Sequence, residues 1–294
     1  MFEIKNEKIA IPIVLMAGLL WSFGPLIVRY MDQPNLVPWQ YLFTRGIVIF
    51  FILNIFLFFE EGKSFYKNYF KIGWSGLIGG CGLGIAMITF IWSITNTSAA
   101  ITLLCLASMP FLTALLGFLF LRETISYNVW IAIIVAAIGI LIMGLGNTSK
   151  SSLLGLVFGL ASAIGFSVFS VSLRWRKETP KFTTVAIAGL FCAIVSSVIL
   201  LNGEESFISS SYNEGLFALH GTIVCLGLIL YSIGSRAIPA AELTLLSLTE
   251  IIGGIFWVWL PLFGINEVPS NSTIIGGFLI FVSISHYSLT IKTN

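Results

Sequence analysis

Charge is what this 294-residue chain has least of: 10% of its residues are Asp, Glu, Lys or Arg. A water-soluble domain carries about 25%, so a soluble globular protein is excluded. The net charge is +2, and the 15 basic residues lie scattered between apolar runs. They form no patch for nucleic acid. Only two histidines occur, and the four cysteines (Cys81, Cys105, Cys192, Cys225) each fall inside an apolar run without CxxC spacing. That argues for helix-packing thiols, with no metal centre and no cofactor. The apolar runs do not alternate as barrel strands would. The glycines of GGCGLG at 79–84 follow no strand, so they are not a nucleotide loop; they permit close helix approach instead. The N-terminal apolar run is too long for a signal peptide and has no small-residue cleavage site, which predicts a retained span.

What fills the space is hydrocarbon. Hydrophobic residues make up 57% of the chain, and the mean hydropathy is +1.00. Ten apolar stretches stand out, at 9–30, 39–59, 72–94, 98–121, 127–146, 153–173, 182–202, 215–235, 240–263 and 272–291. Each is close to the ~20 residues a helix needs to cross a bilayer, and in lipid a helix is the way a single segment satisfies its own backbone. The expected fold is therefore an all-α integral membrane protein of ten transmembrane helices. With the N-terminus inside, twelve basic residues are internal: Lys5, Lys8, Lys63, Lys67, Lys71, Arg122, Arg174, Arg176, Lys177, Lys181, Arg236 and Lys292. Arg29 and Lys150 fall outside, and Arg45 lies within a span. The positive-inside rule thus places both termini in the cytoplasm. The loop at 203–214, with Glu204, Glu205 and Glu214 and no basic residue, suits the outer side.

The chain also repeats itself. The run TSAAITLLCLASMPFLTALLGFLFLRETIS, Thr97 to Ser126, is echoed by AAELTLLSLTEIIGGIFWVWLPLFGINEVPS. Ala99-Ala100 recur 141 residues later as Ala240-Ala241, and Glu123 and Ser126 recur 144 residues later as Glu267 and Ser270. Gly18/Gly159 and Gly24/Gly165 share the first offset, which sets Ser162 opposite Trp21. Two five-span units follow, 1–148 and 151–294, joined at Asn147–Ser152. Five is odd, so the second unit crosses the membrane in the opposite sense. Inverted repeats of this kind bind their cargo near the midplane.

Small residues, a Leu-rich turn, a mid-helix Pro110 or Glu250, then an apolar helix closed by Glu and Ser: this pattern resembles the EamA-type unit of the drug/metabolite transporter superfamily. Trp21-Ser22 and Arg45 match that family's Trp-Gly/Ser and Arg, and the resemblance covers nearly the whole chain. It implies a non-enzymatic secondary transporter of small organic solutes in a bacterial inner membrane. Amino acids and related metabolites lead, with sugars or nucleotide-sugars as the alternative.

The candidate substrate-pathway residues are Trp21, Arg45, Met109, Ser162, Tyr231 and Glu250. Arg45 sits about 9 Å below the outer interface at 1.5 Å per residue. A cation at that depth faces protein or water, either in the substrate pathway or holding loop carbonyls. Glu250 falls near the midplane, where an acid suits proton coupling or recognition of a cationic group, or ties two helices together. Trp21 is central in its span beside Gly24-Pro25; it either packs or lines a cavity formed by spans one, three, four, six, eight and nine. Glu242, opposite Ile101, reads as an interface or capping residue. His220 and His286 read as interfacial, on opposite faces of the membrane, which disfavours an intramembrane enzyme needing gathered acids or histidines. No ATP-binding segment is present, so the expected partners are a small-molecule substrate, the lipid bilayer and a coupling proton. With one deep anion and one deep cation, the inventory suits a zwitterion better than a polyanion.

Overall fold

The structure is a computed structural model that describes residues 6–96, 99–145, 153–176, 178–203, 205–265 and 268–290. The joint 147–152 and Lys5, Lys177, Glu204, Glu267 and Lys292 lie outside the described residues. The long apolar runs fold as helices, and among the described residues no strand forms. In chain order they are α1 (Glu7–Trp21), α2 (Phe23–Tyr30), α3 (Pro38–Glu61), α4 (Lys67–Lys71), α5 (Gly73–Asn96), α6 (Ala99–Leu106) and α7 (Met109–Leu116). Then come α8 (Tyr127–Leu145), α9 (Leu153–Trp175), α10 (Lys181–Asn202), α11 (Ser211–Gly234), α12 (Ala240–Ser247), α13 (Thr249–Trp259) and α14 (Asn271–Thr290).

Local chemistry sets the ends. Asn6 caps α1 by accepting from the Lys8 amide, and Ser210 caps α11 by accepting from the Asn213 amide. Pro38 opens α3, where its missing N–H costs nothing. Pro261 stops α13 at Trp259 by holding Leu260 extended, so the helix is shorter than the 240–263 expected. Ser210 starts α11 at Ser211, earlier than the expected 215.

Among the described residues, seven stretches are long and apolar enough to cross a membrane: Glu7–Tyr30, Pro38–Ser64, Gly73–Asn96, Leu153–Trp175, Lys181–Asn202, Ser211–Gly234 and Ala240–Trp259. Met109–Leu121 and Tyr127–Gly139 are shorter apolar helices. The expected run 98–121 is divided. Ser108 bonds back to Cys105, Pro110 has no amide hydrogen to offer, and Gly117–Leu121 widens into a π-type turn. Its echo breaks in the corresponding place, with Leu248 joining α12 to α13. The first apolar run also breaks, at Ser22.

Phe51, Phe59, Phe118, Leu141, Ile194, Leu201 and Phe281 face outward, as a chain solvated by lipid requires. Inward, small residues decide which helices touch. A Cβ on Gly46 would stand 2.6 Å from the Gly189 carbonyl oxygen, and one on Gly189 would stand 2.8 Å from that of Gly46. The backbones of α3 and α10 therefore meet directly. Within 79–84, Gly79, Gly80, Gly82 and Gly84 are likewise filled by side chains of α9 and α10 or their backbone, as the glycine run predicts. The principal packings are α5 on α9, α1 on α11, α3 on α10 and α8 on α14. Further contacts join α5 to α10, α3 to α11, α7 to α12, α6 and α7 to α9, and α12 and α13 to α1.

Candidate functional site

Where the broken helices meet α1, α3, α5, α9 and α11 they leave a cavity of about 90 Å³. Trp21, Arg45, Met109, Ser162 and Glu250, five of the six residues singled out above, line it. Its other walls are almost entirely apolar, from Leu83, Met87 and Phe90 to Phe166, Val224 and Leu228.

Trp21 both packs and lines the cavity. Its Nε1–H donates to the Val224 carbonyl at 3.2 Å, and its ring stands edge-on to Phe166 with centroids 5.6 Å apart. Gly227 makes room for that ring, because a side chain there would collide with the indole. Ser162 donates to the Ala86 carbonyl at 2.9 Å, so it is bonded to the backbone of α5. Met109 opens α7 and is buried; the Ser167 hydroxyl reaches its carbonyl at 3.4 Å. Glu250 lies in the first turn of α13, just past the break, and is only partly buried. Tyr231 stands one layer back. It is fully buried, bonded to Ser170 at 2.7 Å, with its ring centroid 5.5 Å from that of Trp21, and it supports the wall without lining it.

Arg45 is 3% exposed. Its Nη1 donates to the Tyr41 hydroxyl at 2.9 Å and its Nη2 to the Met87 carbonyl at 3.4 Å, while Nε has no partner among the described residues. The guanidinium also lies 5.2 Å from the centre of the Tyr41 ring. Arg45 and Glu250 line one cavity without an ion pair between them.

Two members of this cluster escape sequence reasoning. Tyr41 is buried, and His220, expected at an interface, is 3% exposed and lines the cavity. The Tyr41 hydroxyl meets His220 Nδ1 at 2.5 Å, and the two rings stack with centroids 5.7 Å apart. The signal was the start of α11: counted from Ser211 and not from 215, His220 lies well inside the helix. His286 is exposed near the end of α14.

Away from the cavity, Glu242 accepts from the Tyr287 hydroxyl, which makes it a contact between α12 and α14. Glu123 accepts from Arg174 Nε at 2.6 Å and from the Ala240 amide at 3.2 Å, so it caps α12. Arg174 Nη1 in turn donates to the carbonyls of Ser235 and Ile238, at 2.8 and 2.6 Å. Four segments are pinned together at that end of the molecule.

Similarity to known proteins agrees with this geometry. A solved crystal structure superposes with a TM-score of 0.73, covering 97% of this chain and 98% of that one at 19% identity, which speaks to the fold alone. An uncharacterized transporter of Bacillus subtilis, YojE, is 23% identical over 278 residues, 90% of each chain. An uncharacterized transporter of Helicobacter pylori is 23% identical over 184 residues, 62% of this chain and 60% of its own. Both relatives are named as transporters, and neither name specifies a cargo. Residues 8–145, just under half of the chain, match the EamA-like transporter family.

Proposed function

We propose that this protein is a secondary transporter that carries a small zwitterionic metabolite, an amino acid or a close relative, by alternating access. The observation that carries the reading is the cavity. It draws residues from seven of the ten apolar stretches and sets Glu250 and Arg45, with no ion pair between them, in a mostly apolar wall that also carries His220 and Ser162. A zwitterion satisfies both charges at once. A sugar phosphate would call for more than one deep basic residue.

In this reading the ten apolar stretches are ten spans, arranged as units 1–148 and 151–294 of opposite topology. Packing supports it. Exchanging each span for the one five places along turns α5 on α9 into α11 on α1, and α5 on α10 into α11 on α3. Contacts of α3 with α10, α8 with α14 and α7 with α12 map onto themselves. The protein would sit in the inner membrane of a bacterium with both termini cytoplasmic and Glu250 available to a coupling proton. Labelling of a Ser210→Cys variant by an impermeant maleimide on intact cells tests the orientation; protection there overturns it. For function, thermal-shift screening against amino acids, amines, sugars and nucleosides, followed by counterflow in proteoliposomes, is the decisive measurement. Stabilisation by sugars alone would overturn the zwitterion reading.

A further inference from the structure

Hydrogen-bond accounting around Arg45 fixes the state of a third polar group on the cavity wall. Arginine has only donors, so the 2.9 Å contact with Tyr41 must run from Nη1 to the phenol oxygen. The Tyr41 proton is then free to point elsewhere, and the group within reach is His220 Nδ1, at 2.5 Å. Taken as the acceptor of that proton, Nδ1 leaves the imidazole proton on Nε2. Among the described residues that nitrogen has no partner; it belongs to a side chain 97% buried and faces α2, where a Cβ on Gly24 would stand 3.0 Å from it. Both His220 and Gly24 line the cavity. A glycine at that place leaves the N–H open.

Arg45 behind it is a buried cation whose hydrogen bonds go to a phenol and a carbonyl, with no carboxylate paired to it among the described residues. Buried charges are ordinarily paired. A buried cation without a direct ion pair, behind an N–H with no partner among the described residues, is a place for an anion.

We propose that His220 binds the carboxylate of the transported molecule through Nε2–H, and that Arg45 and Tyr41 are the positioning residues that hold the imidazole in this tautomer and charge the site. Glu250 then takes the ammonium, and the apolar walls take the side chain. This assignment rests on the zwitterion reading above and adds to it a polarity and a residue.

Two measurements on the full-length protein in detergent test it. Nitrogen-15 spectra of histidine-labelled protein report the tautomer without any ligand: Nδ1 unprotonated and Nε2 protonated is expected, with Tyr41→Phe erasing the preference. An Nδ1–H imidazole in the wild type overturns the proposal. Calorimetric titration with the proteinogenic amino acids, and for each binder with its decarboxylated amine, reads the carboxylate contact. His220→Gln keeps a donor near the Nε2 position and is expected to retain the preference for acid over amine. His220→Asn, which mimics Nδ1 only, is expected to lose roughly tenfold of that preference. Preference unchanged in His220→Asn, or lost equally in His220→Gln, overturns the assignment while the zwitterion reading stands. Binding of no amino acid by the wild type overturns that reading itself. If His220→Asn fails to fold, the tautomer measurement still decides.

Discussion

The two broken helices, α6–α7 and α12–α13, share a backbone device and differ in chemistry. Each is interrupted after about two turns, and each sends the residue just beyond its break to the cavity. Those residues are Met109 and Glu250, 141 apart in sequence. The same spacing relates Trp21 to Ser162, Leu83 to Val224 and Met87 to Leu228, all of which line the cavity. Arg45 corresponds to Ala186, and His220 to Gly79. Glycines and helix breaks thus build a balanced frame, while the polar groups are placed one-sidedly within it. Glu250 and Arg45 thus face Met109 and Ala186 at the same offset, so the acid and the base have no counterpart of their own kind.

The comparison can be broken most severely at its aromatic member. Trp21→Ala removes the indole that fills the notch at Gly227 and meets Phe166, which should cost about 3–5 kcal/mol of stability in detergent unfolding. Ser162→Ala at the corresponding place loses one hydrogen bond to a carbonyl, or about 1 kcal/mol. Equal costs would mean that the two positions carry the same structural weight.

Next in size, Glu250→Met makes the two breaks chemically alike. Counterflow should fall roughly 100-fold, the ~2–3 kcal/mol of a charge-assisted hydrogen bond. Glu250→Gln separates the roles, since loss of pH dependence with retained binding marks proton coupling. Full activity of both variants would leave Glu250 a structural residue.

A third variant addresses the frame itself. Gly46→Val forces a side chain into the Gly189 carbonyl and should destabilise by about 1–3 kcal/mol, with reduced folded yield on size exclusion. Gly215→Ala, where nothing stands within 4 Å, should be silent by comparison. The smallest effect belongs to Glu123 and Arg174. Their side chains are 20% and 19% exposed, so a double-mutant cycle with Glu123→Gln and Arg174→Gln should isolate a pair energy of about 1 kcal/mol or less, falling with added salt.

Much of this was legible in the chain because depth in a membrane is counted along a helix. Hydropathy singled out Trp21, Arg45 and Glu250, which the fold gathers around one cavity, and the proline at 110 announced a broken helix. What was lost is rotational. Nothing in the spacing separates Tyr231, which stands behind Trp21, from a residue that faces the cavity. Tyr41 passes for an interfacial tyrosine until its neighbours are seen, and His220 depends on a boundary set by Ser210, four residues earlier than hydropathy puts it. Leu260 shows the opposite error: the run stays apolar through Phe263, yet Pro261 ends the helix. Apolarity reports the solvent, and caps and prolines report the ends.

The crossing of α3 and α10 at Gly46 and Gly189 has a mechanical consequence. Most helix pairs mesh by side chains, and sliding one past the other means lifting knobs out of holes. Here the two surfaces are bare backbone, smooth on the scale of a methyl group, with each carbonyl seated where the other residue's Cβ would be. At the Gly46–Gly189 crossing the two helices are therefore held apart by backbone alone, while elsewhere along the same pair Phe56 meshes with Phe182.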